Sequence, residues 1–187
     1  MKRGSPLRRS LAGLALSFTA LPFVAALLLL GVACSGAAAS STAAPVSRGE
    51  PLTYAFGTTE GAVVTSETTR GRVTVLLFLT TFDLASQAQA KHLEQLYRRH
   101  APRFNALGVV MEPPRNAELA RSFGQVLGLS YPIALADAAT LSGDGPFGAV
   151  TSVPSWLILD GDARAVFAKA GALAPSALEK AVRAAER

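Results

Sequence analysis

Cysteine is almost absent from this 187-residue chain: the single one is Cys34. Without a second thiol, an internal disulfide, a cysteine-based zinc knuckle and a CxxC redox pair are all excluded. Histidine is nearly as scarce. His92 and His100 stand eight positions apart, whereas two histidines sharing a metal on one helix are spaced by three or four. The carboxylates are scattered, with no D-x-D-x-D-G loop for calcium. Gly143-Asp144-Gly145-Pro146-Phe147-Gly148 has neither the spacing nor the following Lys-Ser/Thr of a phosphate cradle. No metal and no cofactor are therefore expected. A basic stripe with interleaved aromatics is also missing, so nucleic acid is not an expected partner. Charged residues make up only 17% and hydrophobic ones 50%. That balance is too apolar for a disordered chain and too mixed for a protein built of many membrane spans.

The formal charge of +5 is unevenly placed. Lys2, Arg3, Arg8 and Arg9 lie in the first 33 residues, which hold no acid, and the rest of the chain is close to neutral. Leu11 to Val32 is an apolar run without a charge, interrupted by Pro22. Gly31, Val32 and Ala33 then lead to Cys34. A positive start, an apolar run and a small-residue end make a secretory signal. The stretch from Leu27 to Cys34 resembles the lipobox of bacterial lipoproteins, which implies lipidation of Cys34. The alternative is an uncleaved helix, since the run is long enough to span a bilayer and its positive flank would hold the N-terminus in the cytoplasm. Both readings tether the remainder to a membrane outside the cytoplasm. The expected location is the bacterial cell envelope, with the domain facing the periplasm. Ser35 after the cysteine, where Asp is absent, favours the outer membrane by resemblance to the bacterial sorting pattern. The expected organisation is a signal over residues 1–33, an Ala/Ser/Thr-rich tether over 34–49 and one folded domain over 50–187.

Within that domain, Leu52–Phe56 and Ala62–Thr65 flank Gly57 and Gly61, which predicts a hairpin. Val73–Leu79 is continuously apolar, as in a strand buried on both faces. A helix follows, with Gln87, Lys91, Glu94 and Arg98 on its polar face and Leu93, Leu96 and Tyr97 opposite. Leu107–Met111 is a second buried strand. Asn116 is placed to cap a helix whose apolar set is Leu119, Ala120, Phe123, Val126 and Leu127, and Gly128 stops it. Pro132–Ala136 is a short strand. Trp156–Leu159 and Ala165–Ala168 flank the turn Asp160-Gly161-Asp162. Ser176 and Glu179 have the spacing of a capping box, ahead of Leu178, Ala181, Val182 and Ala185. Early strands alternating with helices pair in parallel through right-handed crossovers, and the late hairpin adds antiparallel strands. The fold class is α/β, a mixed central sheet with helices on both faces.

Four segments in this order resemble the TlpA type of thioredoxin-fold disulfide reductases, over roughly residues 50–187. They are Gly71–Phe82, Leu93–His100, Tyr131–Asp137 and Val153–Gly161. The resemblance implies a thioredoxin-like fold, a cis peptide before Pro154, and a loop there that grips an extended peptide. It also implies a W-C-x-x-C motif after the first buried strand, and this chain departs from it: Asp83 and Ser86 stand at the two cysteine positions. Dithiol exchange, peroxidatic chemistry and copper delivery by a cysteine pair all need thiols that residues 35–187 lack. No catalytic residue is therefore assigned.

The candidate binding groove comprises Phe82, Asp83, Ser86, Val153, Pro154 and Trp156. Each has a plainer reading beside it. Asp is a favoured N-cap at the positive end of a helix dipole. Ser86 fits a polar first turn, and neither histidine is placed to activate it as a nucleophile. Trp156 fits a packed strand position. The expected function is a membrane-tethered, non-catalytic module that binds an envelope protein or serves as a scaffold. The alternative is a thiol–disulfide oxidoreductase, as the family's activity implies, which would need a free Cys34 or a partner's thiol.

Overall fold

The computed structural model describes residues 49–187 and, as strand backbone, residues 44–45. The signal sequence, Cys34 and most of the tether lie outside the described residues. The sheet is built around β4 (Thr74–Leu79), and all six of its residues are buried. That is the physical reason for the unbroken apolar run. β5 (Asn105–Val110) pairs with β4 in parallel, with Leu77 opposite Gly108, and β6 (Ile133–Leu135) continues in parallel beside β5. On the other side, β7 (Ser155–Leu159) runs antiparallel to β4, placing Ser155 opposite Phe78 and Trp156 opposite Leu77. β8 (Ala165–Ala170) returns along β7, through the turn in which Ala163 takes a positive φ of 62°. β1 (Ala44–Pro45), within the expected tether, pairs with Phe167–Ala168 of β8. The order is β1-β8-β7-β4-β5-β6. The hairpin β2 (Ala55–Gly57) and β3 (Val63–Thr65) forms a second, two-stranded sheet, joined to β6 through a bridge between Thr58 and Ala134.

Alternation along β4 sorts the core. Val75, Leu77 and Leu79 pack with Leu93 of α2 (Leu84–His100), Phe123 of α3 (Ala117–Val126) and Leu178 of α5 (Pro175–Ala185). Leu76 and Phe78 pack on the opposite face with Tyr54 and Phe56 at β2, and with Phe147 from the loop after α4 (Ala138–Ser142). All three long helices therefore share one face. The other is covered by the hairpin and two short helices, the four-residue α1 (Ser66–Thr69) and α4, so helices flank the sheet as expected, with the long ones on one side. Right-handed crossovers running in one direction along β4, β5 and β6 put α2 and α3 on the same side. Burying each large side chain here contributes roughly 1.5–3 kcal/mol. A Cβ at Gly108 would lie 2.6 Å from Ile133 Cδ1, so a larger residue there would have to push the tip of that side chain aside.

Several local expectations are corrected. Asn116 ends a short 3-10 turn and makes no side-chain cap; its amide donates instead to Glu112 Oε2 at 2.7 Å. Leu119 and Val126 are exposed, so α3 buries only Ala120 and Phe123. α5 begins with Pro175 after Ala174, not with a Ser176 capping box. Proline suits the first helical position because its missing N–H would be unpaired anyway. Glu94 is buried, not on a polar face. Its carboxylate accepts from the Ser130 amide and hydroxyl, both at 2.8 Å. Next to it, burial pushes the Tyr131 hydroxyl far up.

Candidate functional site

The turn that links β4 to α2, Thr80 to Asp83, leaves the sheet at the carboxyl end of a parallel strand, where open α/β sheets place ligands. Asp83 is the N-cap, with extended φ and ψ of −97° and 125°. Its Oδ1 accepts from the Ala85 amide at 3.2 Å, and its Oδ2 accepts from the Ser86 amide at 2.8 Å. The Ser86 hydroxyl donates to the same Oδ2 at 2.8 Å and accepts from the Thr80 amide at 3.3 Å. The two positions expected to hold cysteines are thus joined by a hydrogen bond. The Ser86 hydroxyl, followed by the backbone amides, holds the Asp83 carboxyl below its ordinary range.

A second carboxylate anchors the turn from below. Glu112, just past β5, is buried. Its Oε1 accepts from the Thr81 amide at 2.6 Å and the Thr81 hydroxyl at 2.8 Å. With Asn116 on its other oxygen, it has three protein donors. Sequence reasoning missed both Glu112 and Thr81, whose pairing spans 31 positions. The one signal present was an acid directly after a buried strand, ahead of Pro113-Pro114.

The outward side of the turn is apolar. Phe82 is 75% exposed and Leu84 79% exposed, on either side of Asp83. Leu84 was not among the expected groove residues. The bond from Val153 to Pro154 is cis, and the pairing of Phe78 with Ser155 runs this segment beside the end of β4. Val153 is half-buried and Pro154 buried. Ser86 and Trp156 are corrected as groove residues. Ser86 is completely buried beneath Asp83, and Trp156 belongs to the core on the helical face. A ligand arriving from solvent meets Phe82, Asp83, Leu84 and part of Val153. No group of three or more His, Cys, Asp or Glu residues is placed to hold a metal among the described residues. None of the described helices is long and apolar enough to cross a membrane.

No protein-family model matches the chain, and no curated protein matches it in sequence. Solved structures do. A DsbF homologue from Corynebacterium diphtheriae superposes with a TM-score of 0.67 at 13% identity, over 79% of this chain and 95% of that one. StoA from Bacillus subtilis gives 0.59 at 18% identity, over 71% and 96%. A secreted Mycobacterium tuberculosis disulfide oxidoreductase homologous to Escherichia coli DsbE gives 0.59 at 19%, over 70% and 95%. At these identities the likeness establishes architecture and leaves activity to the site itself. With cysteine absent from the turn that joins β4 to α2, the chain has a thioredoxin-like fold.

Proposed function

We propose that this domain is a non-catalytic thioredoxin-fold module that binds an extended segment of another protein in the bacterial cell envelope. Lipidated Cys34 or the N-terminal apolar run tethers it to the membrane, with the domain in the periplasm. The carrying observation is the turn at Asp83. Asp83 and Ser86 close on each other at 2.8 Å, while Phe82 and Leu84 face solvent. A carboxylate cannot exchange disulfides, and the Ser86 hydroxyl is buried, its proton resting on a carboxylate of lowered basicity that cannot activate it. What the turn offers to a partner is apolar side chains on a backbone anchored through the Thr81, Ala85 and Ser86 amides. Such an anchor suits an extended peptide, whose side chains give specificity. The secretion named for the similar mycobacterial oxidoreductase supports a location outside the cytoplasm.

The test is dithiothreitol-driven insulin reduction by the full-length chain. The native protein and its Cys34→Ser variant are expected to stay at background. The Asp83→Cys/Ser86→Cys double variant is expected to gain turnover, because a thiol at a helix N-terminus is easily ionised. Turnover by the Cys34→Ser variant would overturn the reading.

A further inference from the structure

The sheet face that carries the hairpin holds a cavity of about 290 Å³, bounded by β2, α1, the start of α4 and the loop after it. That volume is at the small end for ligand-binding cavities. Tyr54, Phe56 and Phe147 line it. Their ring centroids lie 5.7 to 5.9 Å apart in every pairing, so they form one continuous aromatic surface. Tyr54 and Phe56 are buried, and Phe147 is half-buried. Two exposed carboxylates line the same cavity, Glu67 of α1 and Asp137 ahead of α4.

Each carboxylate has a local role. Glu67 lies in the first turn of α1, and Asp137 Oδ1 accepts from the Thr140 amide at 2.8 Å as the N-cap of α4. Those roles leave several observations unexplained. Neither carboxylate closes an ion pair among the described residues. The Glu67 carboxyl is held below its ordinary range first by its own backbone amide and the Thr65 hydroxyl, and last by Arg70. Asp137 Oδ2 accepts no hydrogen bond among the described residues. Thr140, 1% exposed, also lines the cavity, and its hydroxyl has no hydrogen-bond partner. Buried polar groups are nearly always paired, so this one points to a partner from outside the chain. Two carboxylates alone do not make a metal site, and no third His, Cys, Asp or Glu joins them among the described residues.

We propose that this cavity binds an organic cation, an ammonium or guanidinium group carried on an apolar stem. The charged head meets Glu67 and Asp137, and the stem lies on the aromatic surface, whose ring faces also attract cations. The site shares no residue with the Phe82–Leu84 turn and stands whether or not that turn binds a protein.

The experiment titrates the full-length chain in mild detergent by calorimetry with three compounds. They are Nα-acetyl-lysine amide, its neutral analogue Nα-acetyl-norleucine amide, and the free diamine cadaverine. At least one of the two cations should bind with a Kd of about 1 mM or tighter, and the norleucine compound about tenfold more weakly or worse. The tighter cation tells whether the site takes a protein side chain or a free amine. About 0.5 M salt should weaken the binding. The Glu67→Gln/Asp137→Asn variant should bind the cation about tenfold more weakly. Asn is itself a favoured N-cap, so α4 is kept. Phe147→Leu retains apolar bulk without the ring and should weaken binding about threefold. Unchanged far-UV circular dichroism shows that each variant is folded. Equal affinity for the lysine and norleucine compounds, no binding of either cation at about 10 mM, or full affinity in Glu67→Gln/Asp137→Asn would overturn the proposal.

Discussion

The two sides of the turn between β4 and α2 are built on opposite terms. Facing inward, Thr81, Ser86 and Asp83 have their hydrogen bonds satisfied, through Glu112 below and through one another. Facing outward, Phe82 and Leu84 have no apolar partner to cover them and remain largely in solvent. Among the three long helices, only α2 starts with a side-chain cap; α3 and α5 have none. A turn without thiols has no reactive sulfur to position. This one has carboxylates in place, and the geometry that presents Phe82 and Leu84 is held firm. Its product is a fixed apolar surface instead of a reactive sulfur.

The inward side breaks most severely at Glu112. Glu112→Ala leaves the Thr81 amide and hydroxyl and the Asn116 amide without their acceptor in a buried site. A loss of about 2–3 kcal/mol is expected in denaturant unfolding. Asp83→Ala removes the cap and should cost about 1 kcal/mol. The pH dependence sharpens this second prediction. Because the Asp83 carboxyl is held below its ordinary 3.8, mainly by the Ser86 hydroxyl, its contribution is complete above that value. It is lost as the pH falls through the lower folded value. Native protein and Asp83→Asn should therefore differ in stability at neutral pH and converge in acid. On the outward side, Phe82→Ser and Leu84→Ser should change stability by no more than about 0.5 kcal/mol. Their effect should fall on partner binding alone, and a large loss of stability in either would erase the distinction between the two sides.

Local patterns carried much of the fold. The run from Val73 to Leu79 reads as a doubly buried strand because both faces of the sheet are covered, and Asp160-Gly161-Asp162 reads as a turn because its chemistry is contained in the turn. Asp83 likewise caps the helix that follows it. Glu94 and Glu112 were not legible. Each is a carboxylate with two donors from a residue 36 or 31 positions away, so nothing in the flanking residues distinguishes it from a surface acid. The apolar spacing of Leu119 and Val126 misled for a related reason. Periodicity shows which residues share a face of α3, and the neighbouring elements decide how much of that face is covered. Ser176 illustrates the competition between two helix-start signals, which Pro175 wins by fixing its own φ at the first position.

The most direct test of partner binding at the turn between β4 and α2 is photo-crosslinking in the native cell envelope, with a photoreactive amino acid placed singly at positions 82, 84 and 63. Val63 is 59% exposed on the separate hairpin and serves as the comparison. Discrete protein adducts at 82 and 84, absent at 63 and dissolved by an Asp83→Ala change that loosens the turn, are the predicted result. Adducts of equal yield at all three positions, or none at 82 and 84, would contradict the claim that this turn binds a partner.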